Sequence, residues 1–296
     1  MTRREWLWAA AAAAPAAAPA KVRLAIGNYG MQSIPIDSAL AEIRRIGYDG
    51  AELCLMAGWP TEPSKLDAGA RQRIREQPLP IPSLLENFNL VVSDASHRDT
   101  LDRIRAAAAL AHDVAPSDPP LLQTVLGGKP GEWESVKDRM ALRLSEWTTV
   151  AEQSKIRLAV KAHIGSACDT PEKLIWLLDR VRHPALHAIY DYSHFQLMGL
   201  DLEKSLTTLL PKSAFVTVKD SRSVEGKPQF LLPGDGTIDY DQYFSLLKAH
   251  RYAGWILVEI SRQLQVEPKY EAISAAERSY RFLAPHLRQT NLRQKD

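Results

Sequence analysis

Polar side chains that could act on a small molecule recur where apolar runs of the chain end. Lys161 and His163 close the run "RLAVKAH", Asp191 and His194 follow the next run, and Glu259 closes a later one. Carboxylates and imidazoles can bind a divalent cation or carry a proton, and an ammonium group can stabilise a developing oxyanion. An unpaired polar group inside an apolar strand costs about 1–3 kcal/mol, so this set predicts a site.

The elements that must position these residues form a regular alternation. Eight short apolar runs, typical of buried strands, begin at Val22, Gly50, Pro82, Pro120, Ile156, Leu186, Ala214 and Trp255. Segments of helical period follow them, for example the steps of three and four through Trp133, Val136, Met140, Leu144, Trp147 and Val150. Thr170-Pro171 predicts the N-cap and first turn of one such helix.

Eight buried strands with crossover helices favour a parallel sheet closed into a single (β/α)8 TIM barrel, which needs roughly 250 residues. An open doubly wound sheet is the alternative. It is disfavoured because "AIGNYGMQS", after the first strand, lacks the third glycine of a phosphate-binding turn. In a barrel of this type the strand ends share one mouth, where the polar residues would meet.

Composition excludes several classes of protein. The 296 residues are 45% hydrophobic and 24% charged, with a net charge of +2, as in an ordinary globular enzyme. No basic stripe could neutralise a phosphate backbone, so we expect no nucleic-acid partner. Cys54 and Cys168 are interpreted as core cysteines.

The first twenty residues differ from the rest. "MTRREWLWAAAAAAPAAAPA" has Arg3 and Arg4, an alanine-rich run and a small-x-small end, which predicts an export signal similar to the twin-arginine type. An alanine-rich disordered leader is the alternative. The run is too short and too interrupted by proline to span a bilayer. We therefore expect an exported, periplasmic or extracellular protein without a membrane segment, with domain boundaries at 1–20, 21–287 and a tail at 288–296.

Five motifs give the mature chain a resemblance to the xylose isomerase-like TIM barrels, a family of sugar (phosphate) isomerases and epimerases, tagatose-type epimerases and inosose dehydratases. They are "IGYDGAEL", "YDYSH", "VTVKD", "LPGDGTIDY" and "GWILVEI". The resemblance implies a divalent metal held by Glu, Asp, His and Glu from strands five to eight, with the two glutamates moving protons between adjacent sugar carbons. It also implies a small-molecule carbohydrate as the partner.

Two of the four implied ligands are present and two are replaced. Asp191 and Glu259 match the family's Asp and last Glu, but Lys161 and Thr217 stand where the other Glu and the His would be. A lysine ammonium cannot bind a cation and competes with it for carboxylates. Asp191 and Glu259 with His194, or with His163, could still hold Mn²⁺, Mg²⁺ or Zn²⁺ weakly.

Alternatively, Lys161 replaces the metal as an oxyanion stabiliser, and Glu259 acts as the proton-transfer base. A structural ion network around Lys161 is the simpler interpretation. We expect substrate contacts from His163, Lys219, Glu52 and Trp59, although each residue could equally be a packing or pairing residue of the barrel.

Two functions remain open at this point. The leading one is a sugar isomerase or epimerase that shifts a proton through an enediol. The other is a barrel that has lost catalysis and binds a carbohydrate or a protein. A phosphodiesterase of the endonuclease branch ranks last, because the 8 histidines are scattered and the charge is nearly neutral.

Overall fold

A computed structural model describes residues 21–293 and shows a closed parallel barrel in the strand order β1-β10-β7-β6-β5-β4-β3-β2. The predicted export signal at 1–20 lies outside the described residues. The barrel strands are β1 (Arg23–Gly27), β2 (Gly50–Cys54), β3 (Ser83–Leu85), β4 (Leu121–Val125), β5 (Leu158–Lys161), β6 (Leu186–Asp191), β7 (Ser213–Val218) and β10 (Trp255–Val258). The predicted (β/α)8 fold is confirmed, and the open sheet is excluded.

Helices connect the strands and flank the barrel. They are α1 (Ile36–Ile46), α2 (Ala68–Glu76), α3 (Asp94–Val114), α4 (Trp133–Gln153), α5 (Pro171–Val181), α6 (Tyr192–Leu197), α7 (Leu202–Leu209), α8 (Tyr240–Ala249), α9 (Arg262–Gln265) and α10 (Ala272–Gln289). Thr170 caps α5 by accepting a hydrogen bond from the amide of Lys173. The predicted periodic steps of α4 are its buried face, which includes Trp133, Met140 and Trp147.

The pleat of the strands explains why polar side chains meet inside the barrel. One buried apolar cluster fills its lower interior: Ala25, Leu121, Ala159, Ile189, Phe215 and Leu257. Successive side chains of a strand point to opposite faces, so residues two positions further on face the same interior, one layer closer to the mouth. That layer contains Gly27, Gln123, Lys161, Asp191, Thr217 and Glu259. The residues two positions after the apolar cluster therefore form a mostly polar layer at the mouth of the barrel.

An antiparallel hairpin, not predicted from the sequence, follows β7. Its strands are β8 (Asp220–Val224) and β9 (Lys227–Leu231), and Glu225 and Gly226 form the turn with φ of 51° and 75°. Positive φ at both central residues is typical of a type I′ hairpin turn. The signal was present in "SVEGKPQF", where a residue and a glycine separate two short extended runs.

Asp220 fixes the loop that returns from this hairpin. Its carboxylate accepts hydrogen bonds from the amides of Ser221, Gly234 and Ile238 at 2.8, 3.0 and 3.1 Å. A Cβ at Gly236 would lie 2.2 Å from Asp220, so this turn requires glycine. The motif "LPGDGTIDY" therefore has a structural role around Asp220.

The two ends of the described chain meet at the base of the barrel, opposite the mouth. The Val22 amide donates to the Leu292 carbonyl at 3.0 Å, and Arg293 donates to Asp49 at 2.9 Å. The boundary predicted at residue 287 falls inside α10, which ends at Gln289.

Two further sequence-based expectations concern helices and cysteines. None of the helices within residues 21–293 has both the length and the hydropathy that crossing a bilayer requires. Cys54 and Cys168 are free and buried, as expected for core cysteines.

Candidate active site

Four charged side chains form a closed ring of alternating sign at the C-terminal ends of β5, β6, β7 and β10. The Lys161 amine lies 2.5 Å from Glu259 Oε2 and 3.2 Å from Asp191 Oδ2. The Lys219 amine lies 2.6 Å from Asp191 Oδ2 and 2.8 Å from Glu259 Oε1. Each ammonium contacts both carboxylates. We call Lys161, Asp191, Lys219 and Glu259 the charged ring.

Burial makes this ring depend on its own internal pairing. The exposed fractions of the side chains are 4% for Lys161, 0% for Asp191, 1% for Lys219 and 15% for Glu259. Burial alone would lower the pKa of Lys161, but the charges of Glu259 and Asp191 outweigh it and raise that pKa. Burial would likewise raise the pKa values of Asp191 and Glu259, but the two ammoniums hold both pKa values well below their usual range. Lys161, Asp191 and Glu259 are therefore charged at neutral pH.

The two lysines differ in the hydrogen-bond donors they have left. A lysine ammonium has three donors. Lys219 uses its three on Asp191, Glu259 and His194 Nε2, the last at 3.3 Å. Lys161 uses two, on Glu259 and Asp191, which leaves one donor for a bound molecule.

Two histidines stand beside the ring, and both are neutral. Burial and the neighbouring His194 lower the pKa of His163 to about 2. Burial and Lys219 lower the pKa of His194 to about 4. The Gly165 amide donates to His163 Nδ1 at 2.9 Å, so the proton of this imidazole is on Nε2. His163 can thus donate one hydrogen bond while carrying no charge.

A cavity of about 280 Å³ opens above this layer. Lys161, His163 and Glu259 line one side of it, and Lys219 is not among the described residues that line it. The rest of the wall mixes polar and apolar groups, namely Tyr29, Met56, Leu85, Glu86, Asn87, Gln123, Thr124, Val125, Gly127, Gly128, Gly165 and Ser166. A small molecule with several hydroxyl groups and one apolar face matches this lining.

The opposite side of the mouth holds a buried carboxyl group, Glu52, that makes no hydrogen bond or ion pair to a cationic side chain within residues 21–293. Glu52 Oε2 accepts from Ser83 Oγ at 2.7 Å and from the side-chain Nε2 of Gln123. Burial raises the pKa of Glu52 to about 7. We call Glu52, Ser83 and Gln123 the neutral triad.

Gln123 connects this triad to the cavity. It is 1% exposed, it lines the cavity, and its Oε1 has no hydrogen-bond partner within residues 21–293. A buried carbonyl oxygen without a partner costs about 1–3 kcal/mol. Gln123, which the sequence interpretation did not select, is therefore a candidate acceptor for a substrate hydroxyl.

The sequence profile of the xylose isomerase-like TIM barrel family matches residues 40–286. This match covers most of the chain and agrees with the closed barrel.

The chain belongs to the xylose isomerase-like TIM barrel family.

Proteins named inosose dehydratase are similar to the chain. The enzyme of Geobacillus kaustophilus is 23% identical over 283 residues, which cover 85% of this chain and 88% of the relative. The enzyme of Bacillus velezensis is 26% identical over 178 residues, 55% of this chain and 60% of the relative. That second alignment spans less than two thirds of its relative.

Solved structures of other family members share the fold at low identity. The IOLI protein, whose structure contains a bound zinc atom, superposes with a TM-score of 0.75 at 16% identity over 91% of this chain and 99% of its own. An L-ribulose 3-epimerase gives a TM-score of 0.74 at 15% identity, covering 91% and 96%. At these identities the likeness establishes the fold alone.

The chain departs from a metal-binding member of the family at the ligand positions. Asp191, Glu259 and His194 were the predicted ligands, but ammonium groups lie within 3.4 Å of all three. Within residues 21–293 no group of three or more His, Cys, Asp or Glu side chains has an arrangement that could hold a metal ion. The residues present therefore do not fit a divalent cation.

The other predicted site residues fall in different places. Lys161, His163 and Glu259 meet at the cavity, whereas Glu52 and Lys219 are buried and are not among the described residues that line it. Trp59 is not among the described residues lining the cavity; its ring stacks on Tyr29 at 5.4 Å and its indole N–H donates to the Tyr29 carbonyl. Tyr29 is thus the aromatic wall, and Trp59 supports it.

Proposed function

We propose that this protein is an enzyme that shifts a proton between adjacent carbons of a small polyhydroxylated aldehyde or ketone, through an enediol. The observation that carries the proposal is a set of polar groups around one cavity that match the hydroxyl and carbonyl groups of such a compound. Within the described residues, Lys161 and His163 each keep an N–H without a partner there, and Gln123 has an unpaired carbonyl oxygen. Glu259 supplies a carboxylate that is paired with both ammoniums of the ring. The names of similar proteins, inosose dehydratase and L-ribulose 3-epimerase, indicate substrates of this class.

Each group has one task in this mechanism. The Glu259 carboxylate takes the proton from the carbon next to the carbonyl, and the carbonyl oxygen becomes the enediolate oxygen. Lys161 and neutral His163 donate hydrogen bonds to that oxygen. Glu259 then returns the proton to the neighbouring carbon, while a hydroxyl proton moves between the two oxygens. Gln123 accepts a hydrogen bond from a further hydroxyl and fixes the orientation.

The ring electrostatics explain how this division works. The ammoniums that lower the pKa of Glu259 make it a weak base, so the same ammonium charge must stabilise the enediolate equally strongly. The raised pKa of Lys161 keeps its amine protonated, which disfavours a Schiff base with the carbonyl.

Exchange of hydrogen for deuterium tests the proposal. Inosose and L-ribulose are incubated in D₂O with the protein, and deuterium at the carbon next to the carbonyl is followed by NMR. We expect exchange by the native chain and a loss of about 100-fold or more in Glu259→Gln, the scale of a missing general base. Circular dichroism establishes that the variant is folded. Full exchange by folded Glu259→Gln would remove Glu259 from the mechanism.

The pH profile gives a second test of the same roles. Glu259 is anionic and His163 is neutral from pH 5 to 8, because the pKa values of both groups are lowered well below that window. We therefore expect neither group to give a limb in kcat/KM over that range. Glu52 has a pKa of about 7 and accepts a hydrogen bond from Gln123, so a limb that it causes should disappear in Glu52→Gln. An acid limb near pH 6.5 that persists in Glu52→Gln would show that an ordinary histidine, rather than His163, controls the reaction.

A carbohydrate-binding barrel without catalysis is the second candidate. The full pairing of both carboxylates of the ring favours it, since neither Asp191 nor Glu259 is free of an ammonium. Thermal stabilisation by either compound without deuterium exchange would support this function over the enzymatic one.

We also propose that the protein is exported, which rests on the first twenty residues. Cell fractionation of the full chain and of an Arg3→Lys, Arg4→Lys variant tests this. Export of the native chain and retention of the variant would support a twin-arginine route, and an equal distribution of both would oppose it.

A further inference from the structure

The Lys161 amine lies where a metal ion would have to bind at the charged ring. A cation that binds Asp191 and Glu259 together must lie between their oxygens. The Lys161 amine occupies that place, at 3.2 and 2.5 Å from the two carboxylates. It enters from β5, where its side chain is 4% exposed. Because both carboxylates hold the amine, an ion entering from the cavity could bind them together only by displacing the ammonium from both.

The charge balance of the ring leaves no attraction for a further cation. The two ammoniums contribute +2 and the two carboxylates −2, and all four ion pairs lie at 3.2 Å or less. A divalent ion entering this arrangement would meet two like charges at contact distance. In a buried site, an uncompensated charge is strongly destabilising.

Neither nearby histidine offers a lone pair to a metal. The lone pair of His163 is on Nδ1, where it accepts from the Gly165 amide. The Nε2 atom of His194 faces the Lys219 amine at 3.3 Å, and an ammonium can only donate. Nitrogen ligands of a metal require a free lone pair on the ring.

Thr217 completes the change of ligand set. It pairs in register with Asp191 on the neighbouring strand, and its buried Oγ1 has no hydrogen-bond partner within residues 21–293. A histidine at this inward-facing position would present an imidazole to Asp191, whereas the short hydroxyl takes no part in the ring.

We propose that the Lys161 ammonium takes the place of the divalent cation in this member of the family, so that the site holds its carboxylates and stabilises its oxyanion without a metal. Lys161 lines the cavity and keeps one donor free, which is the place and the charge that a bound cation would offer a substrate oxygen. That the reaction needs no metal rests on the proposed function. That the site excludes a metal ion does not depend on the proposed function.

Metal binding by the full, untagged chain is the first test. The protein is produced in medium supplemented with Mn²⁺ and Zn²⁺, and its metal content is measured by mass spectrometry. Thermal unfolding is then followed with excess Mn²⁺ and, separately, with EDTA. We expect substoichiometric metal and no shift in Tm with either addition. One tightly bound equivalent, with a Tm that EDTA lowers, would overturn the proposal.

Restoring the two replaced ligands is the second test. The Lys161→Glu, Thr217→His variant should gain one Mn²⁺ site. Its Tm should rise by about 5–10 °C at a Mn²⁺ concentration about 100 times its Kd. Thr217→His alone, which keeps the ammonium, should gain none. Adding Asp191→Asn to the double variant should abolish the gain and so locate the ion. A gain of equal size in Thr217→His alone would show that Lys161 does not exclude the metal.

A simpler substitution keeps the proposal testable if the double variant fails to fold. Lys161→Gln removes the ammonium and leaves Asp191 and Glu259 with a single cationic partner. Mn²⁺ should stabilise this variant and not the native chain, and an unchanged response would contradict the proposal. Absence of deuterium exchange in the native chain, together with absence of metal binding, would refute the enzymatic function and leave this inference standing.

Discussion

Strands β5, β6, β7 and β10 place two carboxylates in contact with two ammoniums, whereas β2, β3 and β4 place one carboxyl group among neutral partners. The two sides lie at the same mouth and are similarly buried. On the charged side, pairing lowers the pKa values of Asp191 and Glu259; on the neutral side, burial raises the pKa of Glu52 to about 7. The comparison shows that the neighbours, rather than depth, decide whether a buried acid keeps its proton.

Asp191→Asn should cause the largest loss of stability, because it removes one carboxylate of the charged ring. The substitution keeps the size of the side chain but leaves Lys161 and Lys219 with a single carboxylate, and an uncompensated buried charge costs about 3–5 kcal/mol of unfolding free energy. Chemical denaturation at pH 7 measures this loss. The control is Asp113→Asn, because Asp113 pairs with Arg71 at the surface and such pairs contribute at most about 1 kcal/mol. Equal losses in the two variants would contradict the electrostatic account of the ring.

Glu52→Gln should change how the free energy of unfolding depends on pH. Because the pKa of Glu52 rises from its ordinary 4.5 to about 7 on folding, the folded state binds more protons than the unfolded state between these values. This group therefore destabilises the fold progressively as the pH increases through that window. Relative to the native chain, Glu52→Gln should gain about 3 kcal/mol between pH 4.5 and pH 7.5, from 1.36 kcal/mol per unit of pKa.

The difference between the two chains must be taken at each pH. The lowered pKa values of His163 and His194 stabilise the fold as the pH rises to 6.5, and this contribution is common to both chains. A difference that stays constant from pH 4.5 to 7.5 would show that Glu52 keeps an ordinary pKa in the folded protein.

Ser83→Ala should have the smallest effect on stability of the three substitutions. Ser83 donates to Glu52 Oε2 at 2.7 Å, and this hydrogen bond lowers the pKa of Glu52 against the larger effect of burial. Its removal should cost about 1 kcal/mol at pH 8, where Glu52 is ionised, and less at pH 5, where it is neutral. The pH at which Glu52 titrates, followed by NMR, should move upward. A downward movement would mean that Ser83 does not donate to this carboxyl group.

The sequence was sufficient for the barrel because its signal is local. Buried runs such as the one starting at Ile156 and helical steps such as those from Trp133 need no knowledge of their partners. The period of two also places Lys161, Asp191 and Glu259 on the inward face of their strands. Family motifs then indicated where the ligands of a metal should be, and so showed that Lys161 replaces one of these ligands, a glutamate.

Contacts between side chains of different strands could not be predicted from the sequence, because they depend on the register of the strands. Lys219 was predicted as a substrate contact, yet register places its amine on Asp191 and Glu259, where its donors are used. Gln123 was visible as a polar residue, but only the structure shows its unpaired oxygen at the cavity. Trp59 could be assigned as aromatic, but not as the support of Tyr29.

The meeting of Val22 with Leu292 has a practical consequence for work with this molecule. Val22 and Leu292 both lie on the face opposite the cavity, so a linker to a sensor chip or bead that is attached on the Leu292 side leads away from the mouth. Immobilised in this way, the molecule would present its mouth to the flowing solution. The same proximity suits a circular permutant, with a short joint between the old ends and new ends at the exposed hairpin turn of Glu225 and Gly226.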